Sequence, residues 1–186
     1  MTYRSLVKDT IRVMEVLLEK DEIPFQISQI ANLINELNLN NKIVAIFGNG
    51  GSAADAQHFV GELVCSYHKK ERKPFKAFAL TSNSPIITAW SNDYNFDAIF
   101  SRQIESLNET LGLALGLSTS GNSANVINGL KKAKELGIAT CLICGLNHKE
   151  RSFIDFVIKI PSSNTAIVQT ITQVIYHSIC EELEEK

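Results

Sequence analysis

The sequence predicts an α/β fold, a doubly wound parallel sheet flanked by helices, and three features lead there. Short apolar runs alternate with segments of helical period, the pattern of consecutive βαβ units. Two of these runs end in loops rich in glycine and hydroxyl residues that open directly onto helices, at 48–52 and 118–123. The 186 residues, 45% of them hydrophobic, suffice for one sizeable core, and no linker long enough to separate a pair of domains interrupts them.

The elements follow in order. Helical period over 3–19 and 24–37 gives two N-terminal helices. The run Lys42-Ile43-Val44-Ala45-Ile46-Phe47 is a buried strand that gives way to Gly48-Asn49-Gly50-Gly51-Ser52 and a helix starting near Ala53. A short strand at 77–80 and a helical stretch at 85–107 come next. A strand at 113–117 then runs into Ser118-Thr119-Ser120-Gly121-Asn122-Ser123 and a helix at 124–136. Strands at 139–144 and 156–160 follow, and Pro161-Ser162-Ser163-Asn164 caps a last helix that ends near residue 184.

Charge and composition narrow the function classes. Lys+Arg number 18 against 20 Asp+Glu, a net charge of -2, so nothing steers the chain toward nucleic acid or an anionic membrane. No apolar run approaches the ~20 residues that span a bilayer. The N-terminus lacks the layout of a signal peptide, and a cytoplasmic location is expected. Cys65, Cys141, Cys144 and Cys180 are too scattered for a disulfide framework. Cys141 and Cys144 match C-x-x-C, but within a buried strand residues three apart point to opposite faces, so redox or zinc chemistry is not expected there.

The two loops have the chemistry of a phosphate cradle. Backbone N–H groups at a helix N-terminus converge on an anion, and glycine lets the backbone approach it. The first loop, with Asn49, Gly50, Gly51 and Ser52, lacks both the dinucleotide spacing and the Gly-Lys-Ser/Thr ending of a P-loop. The second crowds Ser118, Thr119, Ser120 and Ser123 between a strand and a helix. One of these hydroxyls could be a helix N-cap and the rest loop filler; two such loops weaken that alternative. On the helix after the first loop, His58 and Glu62 share a face at i, i+4, a pair able to chelate a metal or share a proton. On the last helix Gln169, Gln173 and His177 form a neutral polar ridge beside an apolar stripe, a ridge expected to be covered by another part of the fold or another subunit. Carboxylate, imidazole and phosphate cradle together suggest proton transfer beside a carbonyl of a phosphorylated substrate.

Residues 47–59, then Ser91-Asn92-Asp93, then Ser118-Thr119-Ser120-Gly121-Asn122-Ser123, resemble the phosphoheptose isomerase branch of the SIS superfamily of phosphosugar isomerases, a likeness that runs nearly the whole chain. The resemblance implies a single SIS domain over 1–186 and an aldose–ketose isomerase of sedoheptulose 7-phosphate. Such an enzyme makes D-glycero-D-manno-heptose 7-phosphate through an enediol, the first step toward ADP- or GDP-heptose precursors of lipopolysaccharide or capsule. It implies a substrate site of Asn49, Gly50, Gly51, Ser52, Glu62, Asn92, Asp93, Ser118, Thr119, Ser120, Ser123 and Gln169. Zinc would be held by His58, Glu62, Gln169 and His177, with Glu62 and His177 as the acid–base pair. It also implies a homotetramer with sites between subunits, in which the helices of residues 1–38 pack. Two departures stand out: Ser66 replaces a family arginine, and Ala166-Ile167-Val168-Gln169 replaces Asp-Arg-Ile-Gln. Relatives that bind a replication initiator lack the glutamate present here as Glu62, and sugar-phosphate-sensing relatives carry a DNA-binding domain for which this chain has no room. An isomerase of another phosphosugar is the remaining alternative.

Overall fold

The apolar runs become the strands of one parallel sheet. In the computed structural model, which describes residues 2–185, they are β1 (Ile43–Gly48), β2 (Ala77–Ala79), β3 (Leu111–Ser118), β4 (Ala139–Cys144) and β5 (Phe156–Lys159). Their spatial order is β2-β1-β3-β4-β5, and every pairing is parallel. The helices are α1 (Tyr3–Leu18), α2 (Glu22–Leu39), α3 (Gly51–Val64), α4 (Ser84–Asp93), α5 (Ile99–Ser106), α6 (Ala124–Glu135) and α7 (Thr165–Glu185).

The sheet is covered on both faces, which is why β1 reads as an unbroken apolar run instead of an alternating one. The two-residue period sends Val44, Ile46, Leu113, Leu115 and Cys141 into a core shared with α2, α3 and α7. Ala45, Phe47, Ala114, Leu142 and Cys144 enter a second core with α5 and α6. The C-x-x-C cysteines therefore lie on opposite faces of β4. Burial pushes the Cys144 thiol up to about 12 and the Cys141 thiol higher still, so both stay protonated and inert.

Chain direction across the sheet reverses between β1 and β3. β1 leads outward to β2 on one side, β3 leads outward to β4 and β5 on the other, and α3 and α6 fall on opposite faces. In open α/β sheets such a switch point, at the carboxyl ends of the strands, is where ligands sit. Gly48 pairs with Leu117 there. A Cβ on Gly48 would lie 2.7 Å from the Leu117 carbonyl oxygen and 2.8 Å from Ser52 Cβ, so only glycine lets β1 end this close to β3 and α3. Gly50 then turns the chain into α3 at φ 54, ψ -121, outside the range of other residues.

Two elements differ from the sequence expectation. Helical period runs through 85–107, but the chain breaks into α4, a 3-10 turn at Phe96–Ala98 and α5, with Asn95 extended at φ -159, ψ 154. The break falls after Asn92-Asp93-Tyr94, residues of low helix propensity, and the period survives it because both pieces present apolar side chains to the same core. The helix after β1 starts at Gly51, earlier than expected, because Gly50 already makes the turn. His148 is buried, because its loop folds back on residues 118–123. The Asn164 cap of α7 is present: its Oδ1 accepts the N–H of Ala166 at 3.0 Å and that of Ile167 at 3.4 Å.

The far ends of α3 and α7 are tied by a buried ion pair. Glu184 accepts the N–H groups of Tyr67, His68 and Lys69 and the Nε of Arg72, all at 2.7–2.9 Å. Arg72 also donates to the carbonyls of Glu62 and Leu63, capping α3. Burial opposes the charge on Glu184, but the Lys69 N–H, the guanidinium and the other two N–H groups outweigh it and hold the carboxyl at about 2. A depressed carboxylate stabilises the fold above its ordinary value of 4.5 and loses that contribution as pH falls toward 2. Glu184→Gln is expected to cost about 3 kcal/mol in urea unfolding at pH 7, a deficit that shrinks steadily below pH 4.5.

Candidate active site

Two loops meet at the switch point. Asn49 and Asn125 exchange amide hydrogen bonds, Nδ2 to Oδ1 in both directions at 2.8 Å, and this pair ties the first loop to the start of α6. Asn125 is buried, and its Oδ1 also accepts the Val126 N–H at 2.9 Å. In the second loop Ser118 Oγ lies 3.0 Å from Ser123 Oγ and 3.4 Å from Ser120 Oγ. Ser123 stands at the N-cap position of α6, yet its hydroxyl makes no capping bond. The N-cap alternative therefore fails for Ser123, whose hydroxyl turns to Ser118 instead. Ser52 and Ser118 are buried, Thr119 and Ser123 half-buried, and Ser120, Gly50 and Gly51 exposed.

This second loop is braced from behind. Gly121 accepts from Arg151 at 3.4 Å and lies 3.2 Å from His148 Nδ1. Asn122 donates to the Asn147 carbonyl at 2.8 Å and accepts from Arg151 at 3.1 Å. The result is a rigid concave set of hydroxyls and amides flanked by the N-termini of α3 and α6, suited to an oxyanion.

From this rim a seam runs down between α3 and α7. The helices are parallel, since Gly51 meets Gln169 at one end and His58 meets His177 further along. The polar ridge of α7 lies along this seam, so α3 of the same chain covers some of it. His58 Nε2 lies 2.9 Å from Glu62 Oε1, and the ligand atoms of His58, Glu62 and His177 all fall within 4.8 Å of one another. Two imidazoles and a carboxylate so placed form a donor set that zinc accepts. Burial, reinforced by His58 and opposed by Glu62, lowers the His177 pKa and favours a neutral ring with a free lone pair.

Gln169 stands apart from these three. It packs on Gly51, where a Cβ would collide with its amide, about two helical turns from His177. Within one chain it faces the loop end of the seam, in a cleft of about 400 Å³ with Ala54, Asp55, Ala166, Thr170 and Gln173. Asn92 and Asp93 are exposed at the end of α4 and bonded to each other at 2.8 Å, and among the described residues no hydrogen bond links their side chains to either loop.

The sequence reading missed Asn125, Asp55 and Tyr176. Asp55 is buried on the cleft and its Oδ2 has no hydrogen-bond partner among the described residues; burial raises its pKa, against the Gln173 amide and His58. Its only sequence signal was a carboxylate at i-3 from His58. Tyr176 gave no signal of its own in the sequence, yet its hydroxyl lies 2.8 Å from His58 Nδ1.

The SIS domain model matches residues 7–145. Phosphoheptose isomerase of Aquifex aeolicus is 45% identical over 161 residues, covering 86% of this chain and 84% of its own length. That of Aneurinibacillus thermoaerophilus is 38% identical over 183 residues, covering 98% and 92%. Among solved structures, a phosphoheptose isomerase from Francisella tularensis superposes with a TM-score of 0.89 at 27% identity, covering 100% of both chains.

Because burial favours the protonated Asp55, its ionised form costs stability above the folded-state pKa, and the cost fades as pH falls toward the ordinary 3.8. Asp55→Asn is expected to raise unfolding stability at pH 7 by on the order of 1 kcal/mol. Urea midpoints of both proteins at pH 7 and pH 4 check this, the gain being smaller at pH 4.

Proposed function

The chain belongs to the phosphoheptose isomerase family of SIS-domain proteins and is an isomerase, and from that premise we propose that it interconverts sedoheptulose 7-phosphate and D-glycero-D-manno-heptose 7-phosphate. The observation that carries this reading is one seam with an oxyanion cradle at its head and an imidazole–carboxylate cluster further down. Ser52 and His58 are separated by about 9 Å along α3, at 1.5 Å per residue. That spacing suits a substrate whose phosphate and carbonyl lie at opposite ends of a long carbon chain.

In this reading Ser52, Ser118, Thr119, Ser120 and Ser123 hold the phosphate, with Gly50 and Gly51 giving the backbone access and Asn49 lining the sugar. Glu62 takes the C2 proton from the aldose and returns it at C1 across the cis-enediol. His177, kept neutral by its surroundings, serves the carbonyl and hydroxyl oxygens. His58, Glu62 and His177 would hold a zinc ion, which when bound supplies Lewis-acid polarisation of a carbonyl. The product feeds the synthesis of nucleotide-activated heptose.

We further propose that the working enzyme is a cytoplasmic homotetramer with sites at subunit contacts. Two features support this. α1 buries no residue and exposes Tyr3, Val7, Ile11 and Leu18 on one face, an apolar stripe suited to another copy. Gln169, Asn92 and Asp93, which the resemblance assigns to the site, do not reach the cluster within one chain, and a neighbouring subunit can supply them. Ser66 and Ala166, in place of a family arginine and aspartate, alter contacts around the substrate and leave the proton-transfer pair intact.

Purified, zinc-supplemented protein is expected to convert sedoheptulose 7-phosphate to the aldoheptose phosphate, followed by NMR. Glu62→Gln and His177→Ala should each lower kcat by about 10²–10⁴-fold, the share of a general acid or base. Full activity in Glu62→Gln would sink the assignment of the base. Ser118→Ala should act mainly through KM, because the phosphate is held equally in ground and transition states.

A further inference from the structure

His58 is held from both sides of its ring. Nε2 lies 2.9 Å from Glu62 Oε1, and Nδ1 lies 2.8 Å from the Tyr176 hydroxyl. An ionised carboxylate only accepts, so in the neutral ring Nε2 carries the proton. Nδ1 is then a bare acceptor, and Tyr176 donates to it.

The phenol is fixed by packing. Tyr176 is fully buried, and its ring stacks on Phe59 with centroids 5.1 Å apart and planes at 15°. Phe59 and Tyr176 are the chain neighbours of His58 and His177, so this stack sets the spacing of α3 and α7 where the polar cluster sits. Burial and the nearby Asp55 raise the pKa of Tyr176 far above the usual phenol range, which keeps the hydroxyl proton in place.

A cation among His58, Glu62 and His177 needs the lone pair of Nε2, the nitrogen that faces Glu62. The ring proton must then reside on Nδ1 and find an acceptor. A phenol oxygen accepts as readily as its O–H donates, so the same hydroxyl can meet Nδ1 with or without its proton. Phenylalanine could serve neither tautomer and would leave Nδ1 without a partner.

We propose that Tyr176 is a positioning residue: it donates to Nδ1 of His58 in the free protein, where Glu62 holds the Nε2–H tautomer, and it accepts the Nδ1 proton when Nε2 binds a cation. The metal-bound role rests on the reading of His58 as a zinc ligand; the hydrogen bond to Nδ1 in the free protein does not.

The test is a long-range proton–nitrogen correlation spectrum of the histidine rings in metal-free protein near pH 8, roughly 1.5 units above the ordinary histidine pKa. Wild type, Tyr176→Phe and His58→Gln are compared, the last to assign the His58 signals. The wild-type ring is expected to carry its proton on Nε2, and Tyr176→Phe to keep that tautomer while its Nδ1 signal moves downfield, toward that of an acceptor without a partner. A wild-type ring protonated on Nδ1, or an unchanged Nδ1 signal in Tyr176→Phe, overturns the proposal. Zinc affinity, read by competition with a chromophoric chelator, should fall about tenfold or more in Tyr176→Phe, and equal affinities would overturn the metal-bound role. The urea midpoint should change little, because phenylalanine keeps the stack on Phe59. Absence of zinc binding in the wild type would refute the ligand reading and with it the metal-bound role, while the Nδ1 comparison still decides the hydrogen bond in the free protein.

Discussion

Everything at the site depends on β1 and β3 lying side by side at the centre of the sheet. Their parallel register brings Gly48 against Leu117, so both strands end at the same height and release their loops into one crevice. The close approach works only because β1 ends in glycine. A methyl group there would push the Leu117 carbonyl and Ser52 away and separate the loops. The Asn49–Asn125 amide pair then fixes the gap, and α3 and α6 leave toward opposite faces with their N-termini directed at the crevice. A cradle for an oxyanion follows from strand order and one missing side chain, without a lysine or arginine in either loop.

The seam between α3 and α7 has a different logic. Most of it is apolar, with Phe59 on Tyr176 at its centre, and that packing lets polar atoms be held at fixed distances beside it. Asp55 is buried where its charge is unfavourable, and His58 is gripped at both nitrogens. Groups placed this way lower the stability of a fold unless something else raises it. Here the Arg72–Glu184 pair fastens the other end of the same two helices and bonds the backbone carbonyl of Glu62 itself. A stable anchor at one end thus permits a polar, partly desolvated cluster further up. The loop after α3 is drawn into this anchor through three of its backbone N–H groups, which leaves Tyr67 stacked over His177 at 5.4 Å.

How much of this was legible in the chain can be judged residue by residue. Continuous apolar runs could only be strands buried on both faces, because a strand with one wet face alternates. Glycine followed by hydroxyl residues after such a run could only be a turn into a helix. The face shared by His58 and Glu62 followed from helical geometry, since both lie on one element. The break between α4 and α5 was hidden, because an apolar period continues across it while the backbone does not.

The sequence by itself therefore determined the fold class, the two loops and the family, each of them written in local patterns of a few neighbouring residues. Tertiary structure alone decided that Asn125 locks Asn49, that Tyr176 serves His58 and that Glu184 holds Arg72. It also decided that His177 joins His58 and Glu62 while Gln169 stays at the loop end. Each of these contacts spans about 70 or more positions of chain and joins side chains whose types are ordinary taken singly. Helical and strand periods specify which face a residue occupies, and only the packing of one face on another specifies what it meets there.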